Sequence, residues 1–408
     1  MNSSWDVVVV GAGPSGSVAA VSTQKAGLRT LLIDAQPPQR DKTCGDGLTP
    51  RAVKTLRDVR LEHVLPAYRN NGLKLHGFGG DVTAPWPGGF YGSEGSAVAR
   101  KDFDAALVSE AERAGATVWQ DCPATAVEVS AEGITAIDTP RERIAPRWVI
   151  VADGVRSPVG KMLGRIWHRD EVYGIAARSY CTSRHAGEPW MHSHVELVDD
   201  TGTTQPGYGW IFPLGQESGQ VNLGCGALST SKRPAKINTK KLLHFYAEQQ
   251  RPGWELGAPQ SVTSAMLPMG GAVSNVAGPN WALIGDAAAC VNPLNGEGID
   301  YGMETAVMAA ALIGEGKDLT LAWPDALRTA YGQAFLLART AARVLTYPQF
   351  LPLAGPVALR GPVGKRIMPA AARLMGNLTT DADRDVISWV WRTAGELTPK
   401  RGALWDAA

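Results

Sequence analysis

The first hydrophobic run of the chain, residues 6–10, is short and ends at a glycine-rich segment. Residues 19–26 have the pattern of a helix, and Pro14 suits its first turn because proline fixes a helical φ. A second short run, residues 28–33, ends at Asp34. Short apolar runs bounded by glycine are typical of buried strands. The pattern therefore predicts a strand, a helix and a second strand.

The same reasoning extends along the chain. It predicts a helix over 100–115, followed by strands at 117–119, 126–129, 134–137 and 147–152. Strand-like runs dominate from 173 to 269. A buried strand is predicted at 281–284, before a helix that follows Gly298. Among the strand-like runs are residues 192–198, 208–213 and 220–228. Beyond Asp325 the pattern is helical and is broken by prolines. Two α/β segments thus flank a β-rich one, and a ligand is expected in the crevice between them.

Composition excludes several classes of protein. The 408 residues carry a formal net charge of +1, so the total charge does not indicate a nucleic-acid partner. The five cysteines lie far apart without a CxxC pair, which argues against a disulfide framework or a zinc site and fits a reducing compartment. Neither a signal-peptide pattern nor a run of about 18 apolar residues is visible. We therefore expect a cytoplasmic protein with no metal site.

The charge of the C-terminal region is uneven. Residues 326–380 contain no Asp or Glu but carry seven basic residues, with large apolar groups such as those of 347–353 between them: Arg328, Arg339, Arg343, Arg360, Lys365, Arg366 and Arg373. An anionic membrane surface attracts such a segment. A helical layer that packs its apolar face on the core and leaves its cations in solvent explains the pattern equally well. Peripheral contact with the inner face of the cell membrane stays open.

A glycine-rich turn follows the first predicted strand and comprises Gly11, Ala12, Gly13, Pro14, Ser15 and Gly16. Gly11 permits a tight turn, Gly13 lets the backbone approach a diphosphate, and Gly16 allows close packing of helix on strand. The helix N-terminus then stabilises the diphosphate charge. Asp34, at the end of the second strand, can accept hydrogen bonds from an adenosine ribose. The turn predicts a dinucleotide site, without distinguishing FAD from NAD.

Three later motifs distinguish FAD from NAD as the expected cofactor. Residues 148–157 contain Asp153 and Gly154, residues 282–288 contain Gly285 and Asp286, and residues 293–299 contain Gly296, Gly298 and Ile299. In this order they resemble the motifs of the aromatic hydroxylase-like flavoproteins. The resemblance implies FAD, with Asp286 on the ribityl chain and residues 293–299 facing the flavin ring. It also places Arg100 near the FAD phosphate and flavin.

These expectations complete the predicted architecture. The fold class is α/β, a Rossmann-like FAD-binding domain with an inserted β-rich substrate domain and a helical C-terminal region. The predicted boundaries are 1–170 and 275–325 for the two parts of the FAD-binding domain, 171–274 for the β-rich domain and 326–408 for the helical region.

Two further segments indicate a narrower family of flavoproteins. Residues 42–48 include Cys44, Gly45, Asp46 and Gly47, and residues 206–213 include the aromatic series Tyr208, Trp210 and Phe212. Both are similar to signatures of the geranylgeranyl reductase family, and the whole chain most resembles its actinobacterial menaquinone reductases. The resemblance implies reduction of a carbon–carbon double bond in a polyprenyl chain, such as one isoprene unit of menaquinone. It also places the 44–47 segment beside the cofactor.

Alternation along residues 208–213 puts the three aromatic side chains on one face of a strand. That face either forms a slot for a long apolar chain or is simply the core of the sheet. Cys44 is expected near the flavin, either as a chemical participant or as a small buried hydrophobe. The predicted catalytic residues are Cys44, Tyr208 and Trp210.

The expected reaction is hydride transfer from reduced FAD to one alkene carbon while Cys44 or an ordered water supplies a proton to the other. A flavin monooxygenase or halogenase on the same fold is one alternative, and a prenyl-binding flavoprotein without activity is another. The electron donor stays open between NAD(P)H, a ferredoxin and other reductants. His192 and His194 share a strand face but lack an evident third metal ligand. Glu297 is expected to be a structural cap or a base.

Overall fold

The computed structural model describes residues 3–376, 378–379, 389–390, 393–395 and 404–405. The strands are β1 Ser3–Val10, β2 Thr30–Ile33, β3 Gly47–Leu48, β4 Gly72–Gly77, β5 Gly80–Pro85, β6 Ser96–Ala97, β7 Thr117–Trp119, β8 Ala126–Ser130, β9 Gly133–Asp138, β10 Arg143–Val151, β11 Ile166–Trp167, β12 Tyr173–Thr182, β13 Met191–His194, β14 Gly207–Pro213, β15 Gln220–Ser229, β16 Gln260–Pro268, β17 Val273–Ser274, β18 Ala277–Gly278 and β19 Trp281–Leu283. The α-helices are α1 Pro14–Lys25, α2 Pro50–Asp58, α3 Arg100–Arg113, α4 Pro158–Met162, α5 Thr239–Trp254, α6 Ile299–Gly314, α7 Leu319–Leu345, α8 Phe350–Leu359 and α9 Gly361–Met375.

An eight-stranded sheet forms the larger core. Its centre is five parallel strands in the order β19-β10-β1-β2-β7, and β18, β9 and β8 add antiparallel edges. The side chains of Val7, Val8 and Val9 are fully buried in the core that this sheet forms with the helices packed on it, such as α1. The predicted strand, helix and strand at the start of the chain are confirmed, as is the α/β fold class.

A seven-stranded sheet in the order β16-β12-β15-β14-β13-β4-β5 lies beside it and is antiparallel except where β13 pairs with β4. Two features differ from the sequence-based expectation. Strands β4 and β5 join this sheet although they come from the first 85 residues, and helix α5 lies within a segment expected to be dominated by strands. Leu242, Leu243, Tyr246 and Ala247 bury one stripe of α5 against the sheet, a helical spacing that the β-rich neighbourhood obscures.

Helices α7, α8 and α9 come after α6, and the structure confirms a helical C-terminal region within the residues that it describes. The breaks fall near Pro348, between α7 and α8, and near Pro362, in the first turn of α9. The prediction that prolines break the helices beyond Asp325 is only partly correct, since Pro356 and Pro369 lie inside helices. Within the described residues, every helix is too short or too polar to cross a bilayer.

Candidate active site

A cavity of about 800 Å³ separates the two sheets. The parallel strands β1, β2, β10 and β19 all end at its edge, which brings the segments that follow them together. Its lining includes these predicted site residues: Gly11, Gly13, Pro14, Ser15, Asp34, Cys44, Gly45, Asp46, Gly47, Arg100, Asp153, Gly154, Tyr208, Trp210, Asp286, Gly296, Gly298 and Ile299. Ala12, Gly16 and Gly285 are outside that lining and support the turns behind it.

The glycine turn packs too tightly to admit side chains. Gly11 has a φ of +104°, and a Cβ there would overlap the carbonyl of Ala152 at the end of β10. A Cβ on Gly16 would overlap the Gly11 carbonyl oxygen. Helix α1 can therefore approach the sheet only because both residues are glycine.

Asp34 stabilises the same turn. Its Oδ2 accepts a hydrogen bond of 2.6 Å from the Ala12 amide, and its Oδ1 accepts one of 2.7 Å from the Gln36 amide. The side chain is thus anchored at the end of β2 on the cavity edge. Contact with a ribose stays a prediction, and holding the turn is a second task that the sequence did not indicate.

Two guanidinium groups lie over Gly13. Arg100 is 3% exposed and makes two 2.8 Å hydrogen bonds to Asp104. Burial lowers the pKa of Arg100, but the Asp104 carboxylate outweighs burial and the net change is upward. Arg40, which sequence reasoning missed, lies 3.6 Å from Asp104 and lines the cavity. The turn at which a diphosphate is expected thus faces two fixed positive charges.

Asp286 has a cationic partner, Lys42, whose Nζ lies 2.8 Å from its Oδ2. Burial alone raises the pKa of Asp286, but Lys42 outweighs burial and the net pKa is lowered, so the carboxylate is charged. Asp153 differs, because it accepts hydrogen bonds from the Ser157 hydroxyl at 2.5 Å and the Val159 amide at 2.8 Å. Asp153 therefore holds the start of α4 as well as lining the cavity.

We call this side of the cavity the polar wall: Gly13, Asp34, Arg40, Arg100 and Asp286. The opposite side, on the seven-stranded sheet, is the apolar wall: Tyr208, Trp210, Phe212, Leu267 and Met269. The rings of Tyr208 and Trp210 are 5.8 Å apart and those of Trp210 and Phe212 are 6.3 Å apart. All three line the cavity from one face of β14, as alternation along the strand predicts.

The 44–47 loop fits directly against the aromatic strand. A Cβ on Gly45 would lie 3.2 Å from the Phe212 ring, and one on Gly47 would meet the same ring at 3.2 Å. Trp210 Nε1 donates to Asn222 Oδ1 at 2.9 Å, while Asn222 Nδ2 donates to the Cys44 carbonyl and to Asp46 Oδ2, each at 2.8 Å. Asn222 thus joins the two signature segments. The only sequence signal for it is a polar residue in the apolar run 220–228.

With both walls described, the comparison with known proteins is direct. A family model described as an FAD binding domain matches residues 4–334. This chain belongs to the FAD-binding domain family. It is an oxidoreductase whose cofactor is FAD. Gly13 offers a backbone without a side chain, and Arg40 and Arg100 offer the positive charge that a diphosphate requires.

Relatives of the flavoprotein match three quarters of its chain or more. The menaquinone reductase of Mycobacterium tuberculosis (strain ATCC 25618 / H37Rv) is 49% identical over 402 residues, which are 98% of this chain and 97% of that protein. A digeranylgeranylglycerophospholipid reductase of Thermoplasma volcanium is 29% identical over 320 residues, 75% of this chain and 77% of that protein. These matches confirm the resemblance to the geranylgeranyl reductase family.

Solved structures confirm the fold. A geranylgeranyl bacteriochlorophyll reductase-like protein of Thermoplasma acidophilum superposes with a TM-score of 0.75 and 21% identity, covering 91% of this chain and 96% of that one. A flavin-dependent brominase superposes with a TM-score of 0.72 and 19% identity, covering 97% and 98%. The same fold therefore serves both reductases and halogenases.

Cys44 is the only half-buried cysteine of the flavoprotein, since Cys122, Cys181, Cys225 and Cys290 are buried. Its side chain lines the cavity. Burial raises the pKa of the Cys44 thiol, and the opposing Arg100 guanidinium does not reverse this. The group at the junction of the two walls is therefore a neutral thiol near neutral pH.

The histidine pair lies away from the cavity, on the sheet face that α5 covers. His192 Nδ1 is 2.9 Å from His76 Nε2, and His194 Nδ1 is 2.6 Å from the Tyr246 hydroxyl. Burial lowers the pKa of His192 and of His194 to about 3. Among the described residues, no cluster of three or more His, Cys, Asp or Glu side chains is arranged to hold a metal ion. The pair belongs to the packing of α5.

Proposed function

We propose that the flavoprotein saturates a carbon–carbon double bond in a polyprenyl chain, with one isoprene unit of menaquinone as the substrate. The observation that carries this proposal is the single cavity with a charged wall and an aromatic, aliphatic wall facing each other. A mononuclear ring needs no such extended apolar face, whereas a prenyl tail does. The 49% identity to a menaquinone reductase supports the choice of quinone.

Bound FAD supplies the hydride. The glycine turn, Arg40 and Arg100 would hold its diphosphate, and the charged Asp286 would accept hydrogen bonds from its ribityl hydroxyls. Gly298 is the N-cap of α6, so the N-terminus of this 16-residue helix directly follows the segment 296–298, which would face the flavin ring. A helix N-terminus favours negative charge, which suits a reduced flavin.

Tyr208 and Trp210 hold the prenyl chain against the cavity edge, and Cys44 gives the proton. Tyr208 is fixed in place because its hydroxyl donates a 2.7 Å hydrogen bond to the Asn295 carbonyl. The neutral thiol of Cys44 carries a proton at neutral pH, as a proton donor must. Replacing Cys44 by alanine should therefore lower turnover and leave bound FAD unchanged. Unchanged turnover would remove Cys44 from this role.

The test is anaerobic. Protein carrying reduced FAD is mixed with menaquinone, and both the return of flavin absorbance and the mass of the lipid are followed. Reoxidation of the flavin, with a gain of two hydrogens that the lipid keeps after its quinone ring has been reoxidised in air, supports the proposal. Substrate-dependent oxygen consumption in air would point instead to a monooxygenase or halogenase, and binding without reoxidation would point to a lipid carrier. The same assay with NAD(P)H or ferredoxin as reductant identifies the donor.

We propose further that the C-terminal helices contact the membrane surface. Leu353 and Val357, one turn apart on α8, are 74% and 63% exposed, and Lys365 and Arg366 on the neighbouring helix α9 are also exposed. The other end of α9 reaches Met375, which lines the cavity. An apolar, basic surface thus lies at one end of a helix and the prenyl slot at the other.

Only part of the basic C-terminal segment is available for this contact. Arg339 and Arg343 form ion pairs with Glu171, and Arg360 donates to the Phe78 carbonyl.

Cosedimentation with vesicles of phosphatidylglycerol and phosphatidylcholine tests whether this surface binds a membrane. Replacing Leu353 and Val357 by aspartate should reduce binding roughly tenfold or more, since each loses favourable burial of an aliphatic side chain. Val129→Asp, at a 52% exposed site on β8, is the control and should bind normally.

A further inference from the structure

The apolar side of the cavity extends beyond the aromatic strand onto a patch of small residues. One row of the sheet register runs from Tyr208 on β14 through the next three strands, β15, β12 and β16, by way of Gly226, Ala176 and Ala265. All four residues line the cavity, and directly opposed residues share one face of a sheet. We call Gly226, Ala176 and Ala265 the small-residue floor. Because neighbouring strands lie about 4.8 Å apart, the floor spans roughly 10 Å.

The cavity is lined differently on the opposite side of β14, toward β13 and β4. Leu73, Trp86 and Met191 line it there and belong to one buried hydrophobic cluster. The indole N–H of Trp86 already donates to Asn70 Oδ1 at 2.8 Å. This end therefore offers apolar contacts, which suit a hydrocarbon chain, whereas the small-residue floor leaves room for a flat ring.

Two contacts place Glu297 at the floor end of the cavity. The Tyr208 hydroxyl donates to the carbonyl of Asn295, two residues earlier, at 2.7 Å. A Cβ on the adjacent Gly296 would lie 3.4 Å from Cε of Met269, which directly follows β16. Glu297 itself lines the cavity, and within the described residues its carboxyl group has no hydrogen-bond or ion-pair partner. An unpartnered carboxyl group thus adjoins the small-residue floor.

Glu297 acts here as a hydrogen-bond donor. Burial raises the pKa of Glu297 well above its ordinary value, and the Asp300 carboxylate adds to the rise. The neutral acid has an O–H group to donate, whereas a carboxylate can only accept. A quinone carbonyl accepts hydrogen bonds and has no hydrogen of its own, so it is complementary to the neutral acid. Without a donor, burial of that carbonyl would be costly.

We propose that the small-residue floor binds the ring of the quinone and that Glu297 donates a hydrogen bond to one of its carbonyl oxygens, an inference that rests on the proposed function. The prenyl tail then crosses Tyr208 and Trp210 and extends toward Trp86. Glu297 touches the substrate but transfers neither proton nor electron in this role. It selects the head group, because a prenyl lipid without an acceptor would leave the buried acid unpaired.

A pair of ligands tests this assignment without turnover. Menaquinone with four isoprene units is compared with the same geranylgeranyl chain on 2-methylnaphthalene, which has the ring but no carbonyl oxygen. Both are titrated into protein that carries oxidised FAD, and binding is followed by the change in the flavin absorption spectrum. Wild type should bind menaquinone roughly tenfold or more tightly than the naphthalene, since only the quinone pairs with the buried acid.

Three variants separate a hydrogen bond from a structural role. Glu297→Met has a similar length and no donor, and it should reduce the preference for menaquinone to about threefold or less. Glu297→Gln keeps an N–H donor and should retain the preference within about twofold of wild type. Glu112→Met, at an exposed site on α3, is the matched control and should bind both ligands as wild type does. An unchanged preference in Glu297→Met, or an equal loss in Glu297→Gln, would overturn the assignment.

The floor is tested separately by Ala265→Leu, which leaves Glu297 in place and fills the floor from the edge strand β16. Menaquinone affinity should fall roughly tenfold, whereas geranylgeraniol, which has the chain but no ring, should bind within about twofold of wild type. Equal losses for both ligands would overturn binding of the ring at the floor. If wild type shows the preference but does not reduce menaquinone, the proposed function is wrong and the head-group site stands. If wild type reduces menaquinone without preferring it to the naphthalene, only the head-group site is wrong.

Discussion

The two walls of the cavity are built by different means. The polar wall depends on a turn of six consecutive residues and on ion pairs such as the one between Arg100 and Asp104, four residues apart. The apolar wall depends on contacts across the chain, because Asn222 reaches the Cys44 loop from 178 positions away. The glycine turn of the polar wall thus depends on local backbone geometry, whereas the apolar wall, like the Lys42–Asp286 pair of the polar wall, depends on long-range packing. Changes in one wall should therefore spare the function of the other.

The largest effect is expected from Gly16→Ala in the polar wall. The added Cβ would overlap the Gly11 carbonyl, so α1 must move away from the sheet and the diphosphate site must widen. We expect FAD affinity to fall roughly 100-fold, about 3 kcal/mol, which is a typical cost of overpacking. Fluorescence titration of the apoprotein with FAD measures this. Gly314→Ala, where a Cβ meets nothing within 4 Å, is the control, and equal FAD affinities in the two variants would contradict this account of the turn.

The next largest effect is expected from Gly224→Ala behind the apolar wall. Its Cβ would overlap the Trp210 ring, which must tilt away from β15 and release Asn222. We expect prenyl reduction to fall roughly 30-fold, about 2 kcal/mol, with FAD content unchanged. Steady-state kinetics measure the rate of prenyl reduction, and flavin absorbance measures the FAD content. Gly226→Ala, whose Cβ meets nothing closer than 3.3 Å, should lose less activity. Joint loss of FAD and activity in Gly224→Ala would show that the walls are not independent.

The same contrast explains what the sequence could predict. The glycine turn, Asp34 and the strands around them follow from local periodicity, and the structure has them as expected. The second sheet was harder, because β4 and β5 enter it from a distant segment and α5 interrupts a run of strands. Arg40, Lys42 and Asn222 were missed because nothing in their neighbours marks a surface arginine, a loop lysine or a strand asparagine as part of a site. Asp286 and Trp210 were predicted site residues, but the pairings of Arg40, Lys42 and Asn222 with Asp104, Asp286 and Trp210 exist only in the folded chain.

A smaller effect concerns the pH dependence of stability. The pKa of Asp46 is raised in the folded protein to about 6 from an ordinary value of 3.8, so the folded state binds this proton more tightly. The stabilisation is present below pH 3.8 and is lost as pH rises through 6. Wild type should therefore lose about 1 kcal/mol relative to Asp46→Asn between roughly pH 5 and 7. Urea unfolding at pH 5 and at pH 7 measures this difference in the free energy of unfolding, with Asp58→Asn, at a surface pair with Lys54, as the control. If the free energies of unfolding of wild type and Asp46→Asn changed in parallel with pH, the pKa of Asp46 would not be raised in the folded protein.

The smallest effect is expected from Tyr208→Phe, which keeps the ring of the apolar wall and removes only the hydroxyl. That hydroxyl donates to the Asn295 carbonyl and so ties β14 to the segment before α6. Loss of one such hydrogen bond costs about 0.5–1 kcal/mol, so the KM for menaquinone should rise about two- to fivefold. FAD affinity should not change, because no contact of the polar wall is touched. A fall in kcat of tenfold or more with KM unchanged would instead make the Tyr208 hydroxyl a proton donor, and Cys44 would no longer be needed for that step.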